Sequence, residues 1–236
     1  MERPEPSCKA TSWQLISRGV DHQYSLSFGL PDPASLKPDE PTDPIERELL
    51  QDVRGSFGPD IGKLCFVDTE TTGAYASSDR IIEIALIKFT ELSPEKWRLE
   101  KYVALVNPEG RKSHPGALRV HKIPDEWLLT AKTFPEQAAE IKSFLGTRRL
   151  VAQNAGFDRG FLRNEFRRMG ETISNKWFCS RKHFKEFNPH LVSYGLEKVC
   201  RHYGITYVAH RAEADALAII RAFHRSGAIK DRRFRL

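Results

Sequence analysis

Apolar positions show no sustained periodicity up to Pro44 and become ordered beyond it. The run Pro44-Ile-Glu-Arg-Glu-Leu-Leu-Gln-Asp-Val predicts a short helix, with proline in its first turn and acids early. From residue 61 the pattern changes. Lys63–Asp68 is a short apolar run suited to a buried strand, Arg80–Phe89 a longer β-branched strand, and Leu99–Val106 a third. Helical spacing follows near 135–145, then a short strand at Leu150–Ala152, then helices near 156–169, 193–203 and 212–225. Leu162, Phe166 and Met169 define one apolar helix face, and Ala216, Ile219, Ile220 and Phe223 define another. Three strands first, then helices alternating with short strands, predict an α/β fold with a mixed sheet covered by helices. No internal repeat is present.

Charge divides the chain. Residues 1–60 hold 6 basic and 11 acidic side chains and eight of the 14 prolines. Residues 61–236 hold 31 basic and 20 acidic side chains, so the net +6 conceals an acidic segment of −5 and a body of +11. The acidic segment carries turn clusters at Leu30-Pro-Asp-Pro, Lys37-Pro-Asp-Glu-Pro and Thr42-Asp-Pro. It cannot bury enough apolar area to offset its ordering entropy. The expected organisation is therefore a flexible or draped extension over 1–60, a globular domain over 61–228 and a basic tail over 229–236.

The N-terminus has no apolar core of a secretory signal, and runs such as Ala216–Ile220 are far too short to span a membrane. Cys8, Cys65, Cys179 and Cys200 lie far apart without metal-binding spacing, as expected of reduced thiols in a cytoplasmic protein. A basic body makes a polyanion the first partner to consider, although a solvated basic surface accounts for charge alone equally well. The same ambiguity holds for Arg159, Arg163 and Arg167, spaced every four residues, and for the tail Lys230–Arg235.

Three segments carry candidate chemistry. In Phe66-Val-Asp68-Thr-Glu70-Thr-Thr-Gly73, Asp68 and Glu70 stand at i and i+2 at the end of an apolar strand, so they share a face. Two like charges so placed repel unless a cation neutralises them. Val151-Ala-Gln-Asn154-Ala-Gly-Phe157-Asp158 follows a second buried strand and opens a helix, with Asp158 bordering the apolar face. His210-Arg-Ala-Glu-Ala-Asp215 leads into a third helix, where Asp215 borders the apolar face and needs a partner. Five helical steps would turn His210 about 140° from Asp215, so the two meet only if His210 lies on the preceding loop. A histidine beside several acids is a candidate base.

Taken in this order, the segments resemble the DEDDh exonuclease superfamily, the DnaQ-like branch of the ribonuclease H-like fold, proofreading subunits among them. Phe66–Gly73 matches the first family motif. Gln153–Asp158 matches the second, with Gln153 where histidine is common, and His210–Ala216 matches the third. Val120-His121-Lys-Ile-Pro-Asp125-Glu126-Trp-Leu is similar to the family's substrate-side element, and Asn188–Leu196 to a further one. The resemblance implies a five-stranded mixed sheet flanked by helices and a 3′→5′ exonuclease. Asp68, Glu70, Asp158 and Asp215 would hold two Mg²⁺ or Mn²⁺ ions, with His210 as base. Thr69, Thr71, Gly73, His121, Asn154 and Phe157 would contact the substrate. The implied partner is single-stranded DNA or the 3′ end of a duplex, with a polymerase or a DNA-integration complex as recruiter. The alternatives are an exoribonuclease and a non-catalytic nucleic-acid or replisome adaptor.

Gln23-Tyr-Ser-Leu26-Ser-Phe28 is similar to the short peptides by which bacterial replication proteins bind the sliding clamp, with Gln23, Leu26 and Phe28 as anchors. The competing reading packs Leu26 and Phe28 onto the body. The clamp reading predicts that Gln23→Ala with Phe28→Ala weakens clamp pull-down without affecting cleavage of short oligonucleotides.

Overall fold

The structure is a computed structural model, and it describes residues 43–58 and 60–230. The candidate clamp peptide at 23–28 and the tail beyond residue 230 lie outside the described residues.

Five strands form one sheet: β1 (Leu64–Thr71), β2 (Ile81–Ser93), β3 (Lys96–Leu105), β4 (Arg149–Ala152) and β5 (Trp177–Cys179). Their order is β3-β2-β1-β4-β5. A loop over 72–80 joins β1 to β2 and a two-residue turn joins β2 to β3, and both pairs are antiparallel. β4 and β5 are reached through helices and pair parallel, β4 with β1 and β5 with β4. The α/β class and mixed five-stranded sheet expected from the sequence are those observed.

The helices are α1 (Pro44–Leu50), α2 (Val53–Phe57), α3 (Pro115–His121), α4 (Asp125–Leu128), α5 (Phe134–Leu145), α6 (Ala155–Arg168), α7 (Ser180–Phe187), α8 (Leu196–His202) and α9 (Ala212–Ser226). They cover both faces of the sheet. Leu64 and Phe66 of β1 belong to the core that α9 completes with Ala216, Ile219, Ile220 and Phe223. Cys65 and Val67, on the alternate row, belong to the core that α5 and α6 complete with Ile141, Phe161, Leu162 and Phe166. This alternation carries the chemistry: Asp68 and Glu70 continue the row facing α9, and Thr69 continues the row facing α6.

Three features depart from the sequence pattern. First, Pro44–Phe57, assigned to the extension by charge, seats Leu49, Val53 and Phe57 fully in the α9-side core. Those three lie four residues apart. Glu48 of α1 also takes Arg221 and Arg225 of α9, at 3.4 and 3.1 Å. The helix starting at Pro44 stops at Leu50, because Asp52 adopts a left-handed backbone (φ 46°) and caps α2. Second, β5 and α7 lie outside the elements expected from the sequence; the three residues of β5 are too few to carry a period, and it becomes a strand only by pairing with β4. Third, the helix expected over 193–203 begins at Leu196, capped by Gly195.

Burial pushes the thiols of Cys65 and Cys200 up to about 12, so neither is reactive near neutral pH. No helix among the described residues is long and apolar enough to cross a membrane.

Candidate active site

At the C-terminal end of β1 the chain brings carboxylates together from three elements. Asp68 and Glu70 stand on β1, and a register shift between Glu70 and Thr71 marks the strand's departure from regular pairing. Asp215, buried, enters from the first turn of α9 on the same face. Asp158, buried, enters from the first turn of α6 on the opposite face. Thr69 connects the two faces: its hydroxyl donates to Asp158 Oδ1 at 2.9 Å.

His210 lies on the loop before α9, as sharing a site with Asp215 requires. Its backbone is left-handed (φ 66°), a conformation histidine tolerates better than most residues. In that turn its N–H donates to Asp215 Oδ2 at 2.7 Å. The exposed ring then offers a nitrogen that lies with one oxygen each of Glu70 and Asp215 inside a mutual span of 4.8 Å.

The turn is locked by a residue the motif reading did not single out. Glu83 of β2, buried, pairs directly across the strands from Glu70. Like charges so placed repel. Arg211, next to His210, resolves this with Nη2 at 2.6 Å and Nε at 3.1 Å from Glu83 Oε1, and the Ala212 N–H donates to the other oxygen at 2.9 Å. The loop carrying His210 is thereby tied to the strand opposite Glu70. The available signal was a lone acid inside the apolar run Ile81-Ile-Glu83-Ile-Ala-Leu-Ile87.

These groups strongly favour protons. Burial, followed by repulsion from Asp158, Asp215, Glu70 and Glu83, holds Asp68 well above the usual carboxylate range. Burial, with Asp215 and Glu83 adding to it, pushes Glu70 up to about 8. Burial also pushes Asp158 up to about 7, even though the Thr69 hydroxyl and nearby N–H groups favour its charged form. Asp215 is raised by burial despite the Tyr207 hydroxyl and the His210 N–H. Clustered buried carboxylates that resist ionisation are either protonated or neutralised by a cation.

The other residues named by the motifs fall into two groups. The Thr71 hydroxyl donates to the Gly73 carbonyl at 2.7 Å. Gly73 lies against Asp79 so closely that a Cβ there would stand 2.4 Å from its carboxylate. Of Thr69, Thr71 and Gly73, the first touches a site acid, while Thr71 and Gly73 shape the turn that follows β1. Asn154 is exposed at the start of α6, and the Phe157 ring packs tilted against Phe161 with 4.7 Å between centroids. His121 ends α3, buried, with Nδ1 accepting from the Ile123 N–H at 3.0 Å and Nε2 lacking a partner among the described residues. Burial lowers its pKa and keeps it neutral, while Asp125 and Glu83 pull the other way. Gln153 is turned away to brace the scaffold, donating to the Tyr194 carbonyl and accepting from the Ser180 hydroxyl.

Comparison with known proteins places this geometry in context. The model of the exonuclease family (RNase T) matches residues 65–223. DNA polymerase III subunit epsilon of Treponema pallidum (strain Nichols) is 30% identical over 162 residues, covering 66% of this chain and 72% of that protein. The PolC-type DNA polymerase III of Staphylococcus saprophyticus is 29% identical over 144 residues, which are 61% of this chain but only 10% of that protein. Among solved structures, the zinc-bound complex of Escherichia coli Exonuclease I with single-stranded DNA superposes with a TM-score of 0.58 at 25% identity, covering 67% of this chain and 38% of that one. Exonuclease X in complex with 5′-overhanging duplex DNA shares the fold, with a TM-score of 0.53 at 24% identity over 70% of this chain and 93% of that one.

Proposed function

We propose a function from one premise: the chain belongs to the exonuclease family. On that premise it is a metal-dependent 3′→5′ exonuclease of the DEDDh type. It acts on single-stranded or frayed DNA ends and releases 5′-nucleoside monophosphates. The observation that carries this reading is a carboxylate cluster at the end of β1: one oxygen each of Glu70 and Asp215 lies with a His210 ring nitrogen within 4.8 Å, and Asp68 stands close enough to Asp158, Asp215 and Glu70 for their charges to raise its pKa. A purely structural or adaptor role gives no reason to keep such a cluster, because its repulsion weakens the fold.

The donor set fits hard divalent cations: Asp68, Glu70, Asp158 and Asp215 offer oxygen ligands alone, suited to Mg²⁺ or Mn²⁺. Bound there, two such ions would lower the pKa of a water and stabilise the attacking and leaving oxygens of an in-line displacement. The remaining work belongs to the chain. His210 takes the proton of the attacking water, and its exposure lets it exchange that proton with solvent. The P–O3′ bond breaks, so the phosphate leaves on the 5′ carbon of the terminal nucleotide. Thr69 orients Asp158, and Arg211 fixes the His210 turn through Glu83. Asn154, Phe157 and His121 border the path of the terminal nucleotide.

The DNA preference rests on the replicative relatives and is separable by experiment. With Mg²⁺ present, the protein is expected to release mononucleotides from 3′-labelled single-stranded DNA and from mismatched duplex ends faster than from matched RNA. Equal or faster cleavage of RNA would replace DNA as the substrate, and no release from either would overturn the enzymatic reading.

A further inference from the structure

We propose that the groove between the start of α6 and α7 holds the phosphate backbone of single-stranded DNA as it leaves the candidate active site. This rests on the nuclease reading above for the position of the 3′ end.

β1, β4 and β5 are parallel neighbours, so their C-terminal ends lie along one edge of the sheet. The acids stand at the end of β1, Asn154 just past β4, and Cys179 at the end of β5 where α7 begins. Neighbouring strands are about 4.8 Å apart, which puts the start of α7 about 10 Å from the acids along that edge. A strand with its terminal phosphodiester at the acids must pass Asn154 to continue in this direction.

What it meets there is positive. A groove of about 700 Å³ is lined by Asn154 together with Arg181, Lys182 and Lys185 of α7. A contiguous one of about 620 Å³ shares Asn154 and Lys182 and adds Arg159 of α6. Glu186 is the acid on its lining, so cations outnumber acids four to one. None of the four cations forms an ion pair among the described residues, and all four are exposed. Four other arginines of the body are engaged: Arg80 with Glu165, Arg111 with Asp79, Arg211 with Glu83, and Arg168 with the carbonyls of Ala76, Ser77 and Asp79.

The orientation of α7 is fixed from behind. His183 and Phe184 are buried, and the His183 ring nitrogen meets the Ala228 carbonyl at 2.9 Å. With those side chains inward, Arg181 and Lys185 stand one turn apart on the outer face and Lys182 beside them. Half-buried Trp177 and Tyr194 add aromatic surface to the lining. Unpaired cations interleaved with aromatic surface suit a single strand bound without sequence readout, the phosphates to the cations and the bases to the rings.

The test compares Arg181→Gln/Lys182→Gln/Lys185→Gln with a variant of equal charge change at the opposite end of the sheet, Lys63→Gln/Lys96→Gln/Arg98→Gln. Fluorescence anisotropy with a labelled twenty-nucleotide oligo-dT in EDTA reads binding, and nucleotide release in Mg²⁺ reads turnover. Losing three phosphate contacts should lower the slope of log affinity against log salt by about 2 in the groove variant, with the distal variant unchanged. In Mg²⁺, kcat/KM on the twenty-mer should fall about tenfold through KM at physiological salt, with that on a dinucleotide unchanged. Equal salt slopes in the two variants, or equal losses on dinucleotide and twenty-mer, would overturn the proposal. Binding lost only in the groove variant, from a wild type that cleaves nothing, would sink the nuclease reading and leave the groove standing. Normal cleavage with unchanged binding would do the reverse.

Discussion

Asp68→Asn should lower metal-dependent release of 3′ nucleotides by about a thousandfold or more while leaving the protein folded. Burial and the neighbouring charges of Asp158, Asp215, Glu70 and Glu83 hold the Asp68 carboxyl well above the usual carboxylate range. The substitution keeps the shape and removes the charge. Metal-based stabilisation of a phosphoryl transition state is worth several kcal/mol, and each ~1.4 kcal/mol is tenfold in rate. Without metal the variant should melt above the wild type at neutral pH, because the folded wild type must keep Asp68 protonated while the unfolded chain ionises it, and asparagine carries no such cost. Turnover within about tenfold of wild type would show that Asp68 is not a ligand that matters. Loss of activity accompanied by a lower melting temperature would point to misfolding instead.

The second large effect is on stability against pH. The ordinary unfolded values are about 3.9 for Asp and 4.3 for Glu. In the folded protein Asp158 lies at about 7 and Glu70 at about 8, with Asp68 and Asp215 also raised. Between these limits the folded state holds more protons than the unfolded chain, so stability falls as pH rises. The loss begins near the unfolded values and is complete once pH passes the folded ones. Metal-free protein should therefore melt roughly 5–10 °C lower at pH 8 than at pH 5. Ligand carboxylates must be deprotonated to bind a cation, so the gain from added Mg²⁺ should grow over the same interval. Differential scanning calorimetry with EDTA and with Mg²⁺ across pH 5 to 8 checks both signs. A melting temperature that is flat with pH and indifferent to Mg²⁺ would mean that the acids are neither strained nor a cation site. Glu70→Gln should flatten the metal-free profile in part, since it removes one group from the linkage.

Both expectations depend on a site whose parts differ in how legible they were. Asp68 and Glu70 could be placed together from local sequence alone, because a strand fixes the relation of i to i+2. Asp158 and Asp215 were legible only as acids at the edges of apolar helix faces, and their meeting with Asp68 came from the family resemblance. His210 presented a conflict: helical spacing would have carried it away from Asp215. The left-handed turn that settles it depends on Arg211 and Glu83, which are 128 residues apart. Glu83 was visible as an anomaly in an apolar run, yet nothing local names its partner.

Composition proved the weaker guide to where the body begins. Net charge drew the line at residue 60, but burial of Leu49, Val53 and Phe57 places α1 and α2 on the core. Charge reports what a segment's surface carries, while packing is decided by the few apolar positions that reach inward.

The sequence by itself determined the α/β class, the first three strands, the apolar faces of α6 and α9, and the pair of acids ending β1. These follow from periodicity, which is a property of the local backbone. Only the tertiary structure decided that β5 exists, that Thr69 holds Asp158 across the sheet, and that Arg211 clamps the His210 turn. It also decided that the unpaired cations of α7 stand beside Asn154. Each of these depends on contacts between residues distant in the chain, whose energies arise only once the sheet edge has assembled.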